Sequence, residues 1–150
     1  SPNSAKLLDL EGSPVKGGIL FRQAGRTLCV NCHRVQGEGK NIGPDLSQIG
    51  ARLNREQLLE SLLAPSATIP DGFTLYTLEM KSGVVHSGFL LERGKDTTRF
   101  RLITGEEKTL PTQGVKRFTE VPTSIMPAGL LQNLTPQEAA DLLAYLASLR

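Results

Sequence analysis

The sequence predicts a mainly α-helical domain of three or more helices, with a small antiparallel β subdomain inserted at residues 72–121, so that the chain is α+β overall. Three observations predict it. Apolar residues recur at helical spacing in 15–28, 55–63 and 134–149. Between Gly72 and Val121 the pattern changes to alternation. Glycines with polar neighbours punctuate that alternating stretch at hairpin intervals. Residues 1–150 therefore read as one domain that carries an insertion.

In the first segment, 15–28, Ile19, Leu20, Ala24 and Leu28 fall on one side with Phe21 beside them, which fits a short amphipathic helix. Gly37, Gly39 and Gly43-Pro44 favour turns and predict a loop. Asn54 can cap a helix over 55–63, where Leu58, Leu59, Leu62 and Leu63 form the apolar side and Pro65 stops it. The alternating runs 73–80, 84–92, 97–103, 106–110 and 115–119 predict strands. Turns at Lys81-Ser82-Gly83, Gly94-Lys95-Asp96 and Thr104-Gly105-Glu106 would pair them antiparallel as a meander or an SH3-like small barrel. A connection this long closes only if it folds on itself. Phe73, Leu75, Leu90, Phe100 and Leu102 are the residues expected in its core. The last segment has Thr135 as N-cap, Pro136 at the first helical position and Glu138 placed to complete a capping box. Its broad apolar face, Ala139, Leu142, Leu143, Tyr145, Leu146 and Leu149, must bury against another helix, and the first is the expected partner.

Composition narrows the function. The net charge of +2 arises from 17 basic and 15 acidic residues dispersed along the chain, so no block of like charge points to nucleic acid or a membrane surface. The longest apolar run, 142–149, falls well short of the roughly 20 residues that cross a bilayer. Ser1-Pro2-Asn3 carries neither an initiator Met nor an export segment, which reads as a processed or excised end.

Both cysteines of the chain lie in Cys29-Val30-Asn31-Cys32-His33, followed at once by one of only two histidines. Two thiols three residues apart can alkylate both vinyl groups on one porphyrin edge while the next residue turns its imidazole to the iron. The spacing therefore reads as covalent c-type haem attachment. Zinc would require a fourth ligand, and only His86, 53 positions on, remains as a soft donor. A redox pair would be expected beside a βαβ unit, which the pattern lacks. His33 would bind iron through Nε2, so its Nδ1 proton needs an acceptor. The Pro44 carbonyl is the candidate, in a loop stiffened by proline and opened to close approach by Gly43; a solvent-exposed turn is the alternative. Arg52 and Arg55 are candidates for pairing with haem propionates, with surface solvation as the alternative.

Gly18, Phe21, Cys29 to His33, Gly43-Pro44 and a closing helix with Tyr145 follow the order found in class I c-type cytochromes, and the chain resembles that family. The segments "GPDLSQIGARLNREQLLESLLAPSATI", "SIMPAGL" and "LTPQEAADLLAYLASL" are similar to the Pirellula/Verrucomicrobium-type haem-binding domain, a resemblance spanning roughly residues 15–150. It implies the class I cytochrome c fold around one haem c, with Gly18 near Tyr145 at the crossing of first and last helices. It also implies Met126 as sixth iron ligand. Of the two methionines, Met80 sits in a strand pattern and reads as sheet packing, whereas Met126 lies in an irregular loop stiffened by Pro127. His86 competes for the sixth site but reads as an exposed hairpin residue.

His/Met coordination favours electron transfer over substrate binding. The resemblance thus implies a carrier of single electrons, not an enzyme, that exchanges them with a periplasmic dehydrogenase or another cytochrome. The chain would act alone or as the cytochrome module of a larger oxidoreductase fused to upstream domains. Haem attachment of this kind takes place outside the bacterial cytoplasm, which implies a periplasmic or extracytoplasmic location. Two alternatives stand: a haem enzyme or gas sensor with an open or labile sixth site, and a haem-independent interaction module built on the β insertion.

Overall fold

The computed structural model describes residues 4–150; of Ser4 only the backbone is described, and the N-terminal tripeptide read above as a processed or excised end lies outside the described residues. The chain divides into two compact units, one running to Ala67 and resuming at Met126–Arg150, the other Thr68–Ile125.

The first unit is helical: α1 (Ser4–Asp9), α2 (Pro14–Arg22), α3 (Ile49–Arg52), α4 (Arg55–Leu63) and α5 (Pro136–Ser148). Three of these reach nine residues or more. Each has the start its sequence allows. Ser13 caps α2 by accepting from Lys16 N, with Pro14 in the first turn. Asn54 and Gln57 form a reciprocal capping box on α4, as Thr135 and Glu138 do on α5. The expected first helix is shorter than its apolar pattern. It stops at Arg22 because Gln23 leaves the helical region and the backbone turns through Gln23–Thr27. Ile19 and Leu28, placed on the buried side by periodicity, are 51% and 45% exposed.

The core of this unit is built on α5, whose Ala139, Leu142, Leu143 and Leu146 are all buried, and α2 is its most extensive partner. Two glycines set that crossing. A Cβ at Gly17 would fall on the Asp141 carbonyl oxygen, and one at Gly18 would lie 3.1 Å from the Tyr145 ring. The backbones therefore approach at a distance only glycine allows. Phe21 then rests against Tyr145, ring centroids 5.4 Å apart. Asp141, 4% exposed, is satisfied in place: its Oδ1 accepts from Ser13 N (2.8 Å) and Gln137 Nε2 (3.0 Å), setting a carboxylate at the start of α2.

The second unit is a five-stranded antiparallel sheet in the order β4-β3-β2-β1-β5: β1 (Leu75–Met80), β2 (Val85–Arg93), β3 (Thr97–Leu102), β4 (Glu107–Pro111) and β5 (Val115–Val121). A single 3-10 turn, Thr112–Gly114, joins β4 to β5, and β5 returns to pair with β1 from Leu75↔Val121 onward. The core is Leu78, Met80 and Phe100, with Tyr76, Leu102, Leu110, Val115 and Phe118 packed against it. Of the five residues expected there, Phe100 and Leu102 belong to it. Leu75 does not, because the inward face of β1 carries the even positions 76, 78 and 80, and neither do Phe73, which lies before β1 with its ring 5.7 Å from that of buried Phe89, nor Leu90, which is only half-buried beside Phe100. Met80 packs on this sheet, 8% exposed. His86, expected at an exposed hairpin, is instead a half-buried strand residue opposite Leu78. No helix among the described residues is long and apolar enough to cross a membrane.

Candidate haem-attachment site

The site begins where α2 ends. Thr27, 1% exposed, donates its hydroxyl to the Leu20 carbonyl at 2.9 Å, and this bond satisfies the helix end inside the core. Leu28 then adopts φ +63°, a left-handed conformation costly for a branched side chain, and the chain enters a tight 3-10 turn over Cys29–Asn31. The Cys29 carbonyl accepts from both Cys32 N (3.1 Å) and His33 N (2.8 Å). That turn sets the two sulfur-bearing residues and the histidine on one compact corner.

A second segment folds back over the corner. Ile42 N and Gly43 N both donate to the Cys32 carbonyl (3.0 and 2.7 Å), and Leu46 N donates to that of Arg34 (2.9 Å). The loop between turns through Gln36 (φ +50°), Gly37 and Gly39, with Gln36 N donating to Ser47 Oγ at 2.7 Å. Gly39 is irreplaceable by geometry: at φ +100°, a Cβ there would fall on the His33 carbonyl oxygen. Gly43 is so for a different reason. A Cβ at Gly43 would lie 2.6 Å from His33 Cε1 and 2.9 Å from Nδ1, so the imidazole occupies the space a side chain would take.

His33 Nδ1 lies 2.7 Å from the Pro44 carbonyl oxygen. A carbonyl only accepts, so Nδ1 carries the proton, and Nε2 of the neutral ring keeps its lone pair. Burial pushes the His33 pKa below its ordinary value against the opposing pull of that bond, which favours the neutral, metal-binding form. Cys29 is buried, and burial raises its thiol pKa; its Sγ donates weakly to the Thr27 carbonyl at 3.5 Å. A redox-active nucleophile needs the opposite shift. Cys29 and Cys32 are not joined in a disulfide.

Of the residues singled out from the sequence, Cys29, Cys32, His33 and Pro44 come together in this corner. Arg52 closes α3, is exposed, and donates from Nη2 to the Asp45 carbonyl at 3.3 Å, one residue beyond Pro44. Arg55 turns away to the end of α1, donating from Nη2 to the Leu10 carbonyl at 3.3 Å. Met126 is half-buried in the loop before α5 and packs on the helical core. A cleft of about 250 Å³ between Phe21, Tyr145 and the Val35–Glu38 turn is lined by none of Cys29, Cys32, His33 or Met126.

Sequence reasoning missed Arg26. Its guanidinium pairs bidentately with Glu138 (2.7 and 3.1 Å) and also donates to the Asn133 carbonyl (3.4 Å). The segment leading to Cys29 is thereby fastened to the start of α5. Glu138 had a complete role as capping residue, and no local pattern pointed to a partner 112 positions away.

The donor set fits a covalent haem: two thiols at alkylating spacing outside any disulfide, and an imidazole whose Nδ1 is engaged by the Pro44 carbonyl, which leaves Nε2 as the nitrogen for a metal. The cytochrome c family model matches residues 16–86, supporting a c-type cytochrome, a haem-binding electron carrier. That family binds covalent haem c with its iron, and Cys29 and Cys32, the only cysteines, supply the Cys-x-x-Cys-His motif. The cofactor is accordingly one haem c. No curated protein matches the chain.

Proposed function

We propose that the chain carries single electrons through a haem c whose iron is held by His33 Nε2 on one side and the Met126 sulfur on the other. In this reading it is a class I cytochrome of the Pirellula/Verrucomicrobium type, working in the periplasm with a dehydrogenase or another cytochrome. The observation that carries it is the 2.7 Å contact of His33 Nδ1 with the Pro44 carbonyl beside the two thiols. It fixes the tautomer and holds the ring by its far edge, the outer-shell arrangement that orients a metal-binding histidine.

When bound, the haem supplies a one-electron ferric/ferrous couple. The chain's own residues do the rest. Cys29 and Cys32 give the thioether links, Pro44 and Gly43 hold the imidazole plane, and buried Leu131 and Leu134 pin the loop that carries Met126. A thioether donor raises the reduction potential relative to a second nitrogen.

The test is expression with haem maturation, followed by mass and optical spectra. The expected result is one haem mass added to the polypeptide, and a low-spin spectrum whose sulfur-to-iron charge-transfer band disappears in Met126→Ala. A bare polypeptide mass with free thiols would overturn the carrier reading. Rapid carbon monoxide binding by the reduced wild-type protein would favour the haem enzyme or gas sensor instead.

A further inference from the structure

The Pro44 carbonyl that meets His33 Nδ1 is itself held from the side away from the ring. Proline fixes its own φ, so the direction of this carbonyl turns on one motion, rotation of the peptide plane between Pro44 and Asp45. Asp45 is fastened at two points beyond that plane. Its carboxylate Oδ1 accepts from Ser47 N at 2.8 Å, closing a short turn on its own backbone, and its carbonyl accepts from Arg52 Nη2 at 3.3 Å. The residues that follow are tied as well, with Leu46 N donating to the Arg34 carbonyl at 2.9 Å and Ser47 Oγ accepting from Gln36 N at 2.7 Å. The stretch 44–47 therefore meets the imidazole at its first residue and is anchored to the backbone of the Val35–Glu38 turn at its last.

We infer that Asp45 is a positioning residue for the iron's histidine: its side chain, acting through its own backbone rather than on the ring, holds the Pro44–Asp45 peptide so that the Pro44 carbonyl meets His33 Nδ1. The inference rests on the ligation of iron by His33 proposed above. Nothing in the spacing of the motif marks Asp45, because its role passes through a carbonyl that belongs to the residue before it.

The device is the bond and not the charge. Asp45 is exposed, so water and salt screen its field at the ring, whereas a 2.8 Å hydrogen bond acts directly on the backbone. Hydrogen bonds from Ser47, and behind them the charges of Arg34 and Arg52, hold its carboxyl below the ordinary carboxylate range, so the group is a pure acceptor at neutral pH. A firm acceptor on Nδ1 raises the basicity of the imidazole, and a more basic ligand favours the ferric state. Slackening the Pro44 carbonyl should therefore move the couple toward ferrous.

The experiment uses the full haem-loaded chain with Asp45→Ala, Asp45→Asn and Asp45→Glu. Asparagine keeps the acceptor and loses the charge, while glutamate keeps the charge and is too long for the turn onto Ser47 N. Proton NMR of the reduced protein follows solvent exchange of the His33 Nδ1 proton, and voltammetry follows the couple. In Asp45→Ala the proton should exchange roughly fivefold faster, the worth of one ordinary hydrogen bond, and the ferric/ferrous equilibrium should move toward ferrous by up to about fivefold. Asp45→Glu should match alanine, and Asp45→Asn should stay within about twofold of wild type, with α5 amide exchange unchanged throughout. If Asp45→Ala yields no haem protein, the contrast between asparagine and glutamate carries the test. Wild-type exchange and potential in Asp45→Glu overturn the inference alone, as does Asp45→Asn moving as far as glutamate, or α5 amides quickening in step with the Nδ1 proton. A wild-type chain whose His33 does not bind iron overturns the ligation, and this inference with it.

Discussion

Substituting Gly43 by alanine tests whether the imidazole is held where the structure places it. The added Cβ would sit 2.6 Å from His33 Cε1, 2.9 Å from Nδ1 and 3.2 Å from Nε2, whereas ordinary contact begins near 3.4 Å. The ring must therefore retreat by about 0.8 Å, which takes Nδ1 from 2.7 Å toward the limit of bonding with the Pro44 carbonyl. Overpacking of this kind costs about 1–3 kcal/mol, and the weakened hydrogen bond adds about 1 kcal/mol, for a destabilisation of about 2–4 kcal/mol. Urea denaturation of the haem-loaded chain measures it, and voltammetry should show a shifted reduction potential because the ring's outer partner is disturbed. Gly37→Ala is the control. Its φ of +83° brings backbone strain of about 1 kcal/mol, but nothing lies within 4 Å, so the potential should stay put. A Gly43→Ala protein within about 0.5 kcal/mol of wild type and unchanged in potential would refute the reasoning.

Gly17→Ala should destabilise the chain by about 2–4 kcal/mol in the same denaturation assay, because the new Cβ meets the Asp141 carbonyl, a backbone group that cannot swing aside. Thr27→Val, nearly equal in volume, should cost about 0.5–1.5 kcal/mol by removing one buried hydrogen bond to the Leu20 carbonyl, which keeps its bond from Gln23 N. The Arg26 pair holds Glu138 at a pKa of about 2, below its ordinary 4.5, so its contribution is complete above pH 4.5 and drains away as pH falls toward 2. Stability-versus-pH curves of wild type and Arg26→Ala should accordingly lie apart above pH 4.5 and converge below about 2.

Where a helix start or a strand is announced by several local signals at once, the chain could be read directly. The start of α5 is such a case, with Thr135, Pro136 and Glu138 agreeing, and all five strands of the sheet are another. The end of α2 could not be read, since it depends on Gln23 and on a Thr27 hydroxyl that reaches back to Leu20, with no proline to announce it. Helices α1 and α3, six and four residues long, are too short to show a period. In β1 the alternation alone does not say which parity faces inward, and Leu78 rather than Leu75 is in the core because a shift between odd and even positions exchanges the two faces. At the site, Cys29, Cys32 and His33 are legible because chemistry demands that spacing locally, and Pro44 because a proline after glycine marks a stiff, close-approaching loop. Gly39 and Arg26 are not, since their roles depend on groups that only the fold brings near.

The backbone around the motif carries its own argument about how the site is made. Among the described residues, the two non-glycine positions with positive φ are Leu28 and Gln36, and they flank Cys29–His33 on either side. Each conformation costs about 1–2 kcal/mol, so two of them in nine residues persist only if neighbouring bonds over-determine the loop. Those bonds can be named. Thr27 ties the start to α2, Ser47 Oγ and the bridged Val35–Glu38 turn hold the end, and Ile42 N and Gly43 N grip the Cys32 carbonyl between them. Two thiols and an oriented imidazole are thus presented as one shaped unit, so that little orientational freedom separates them from a common ligand.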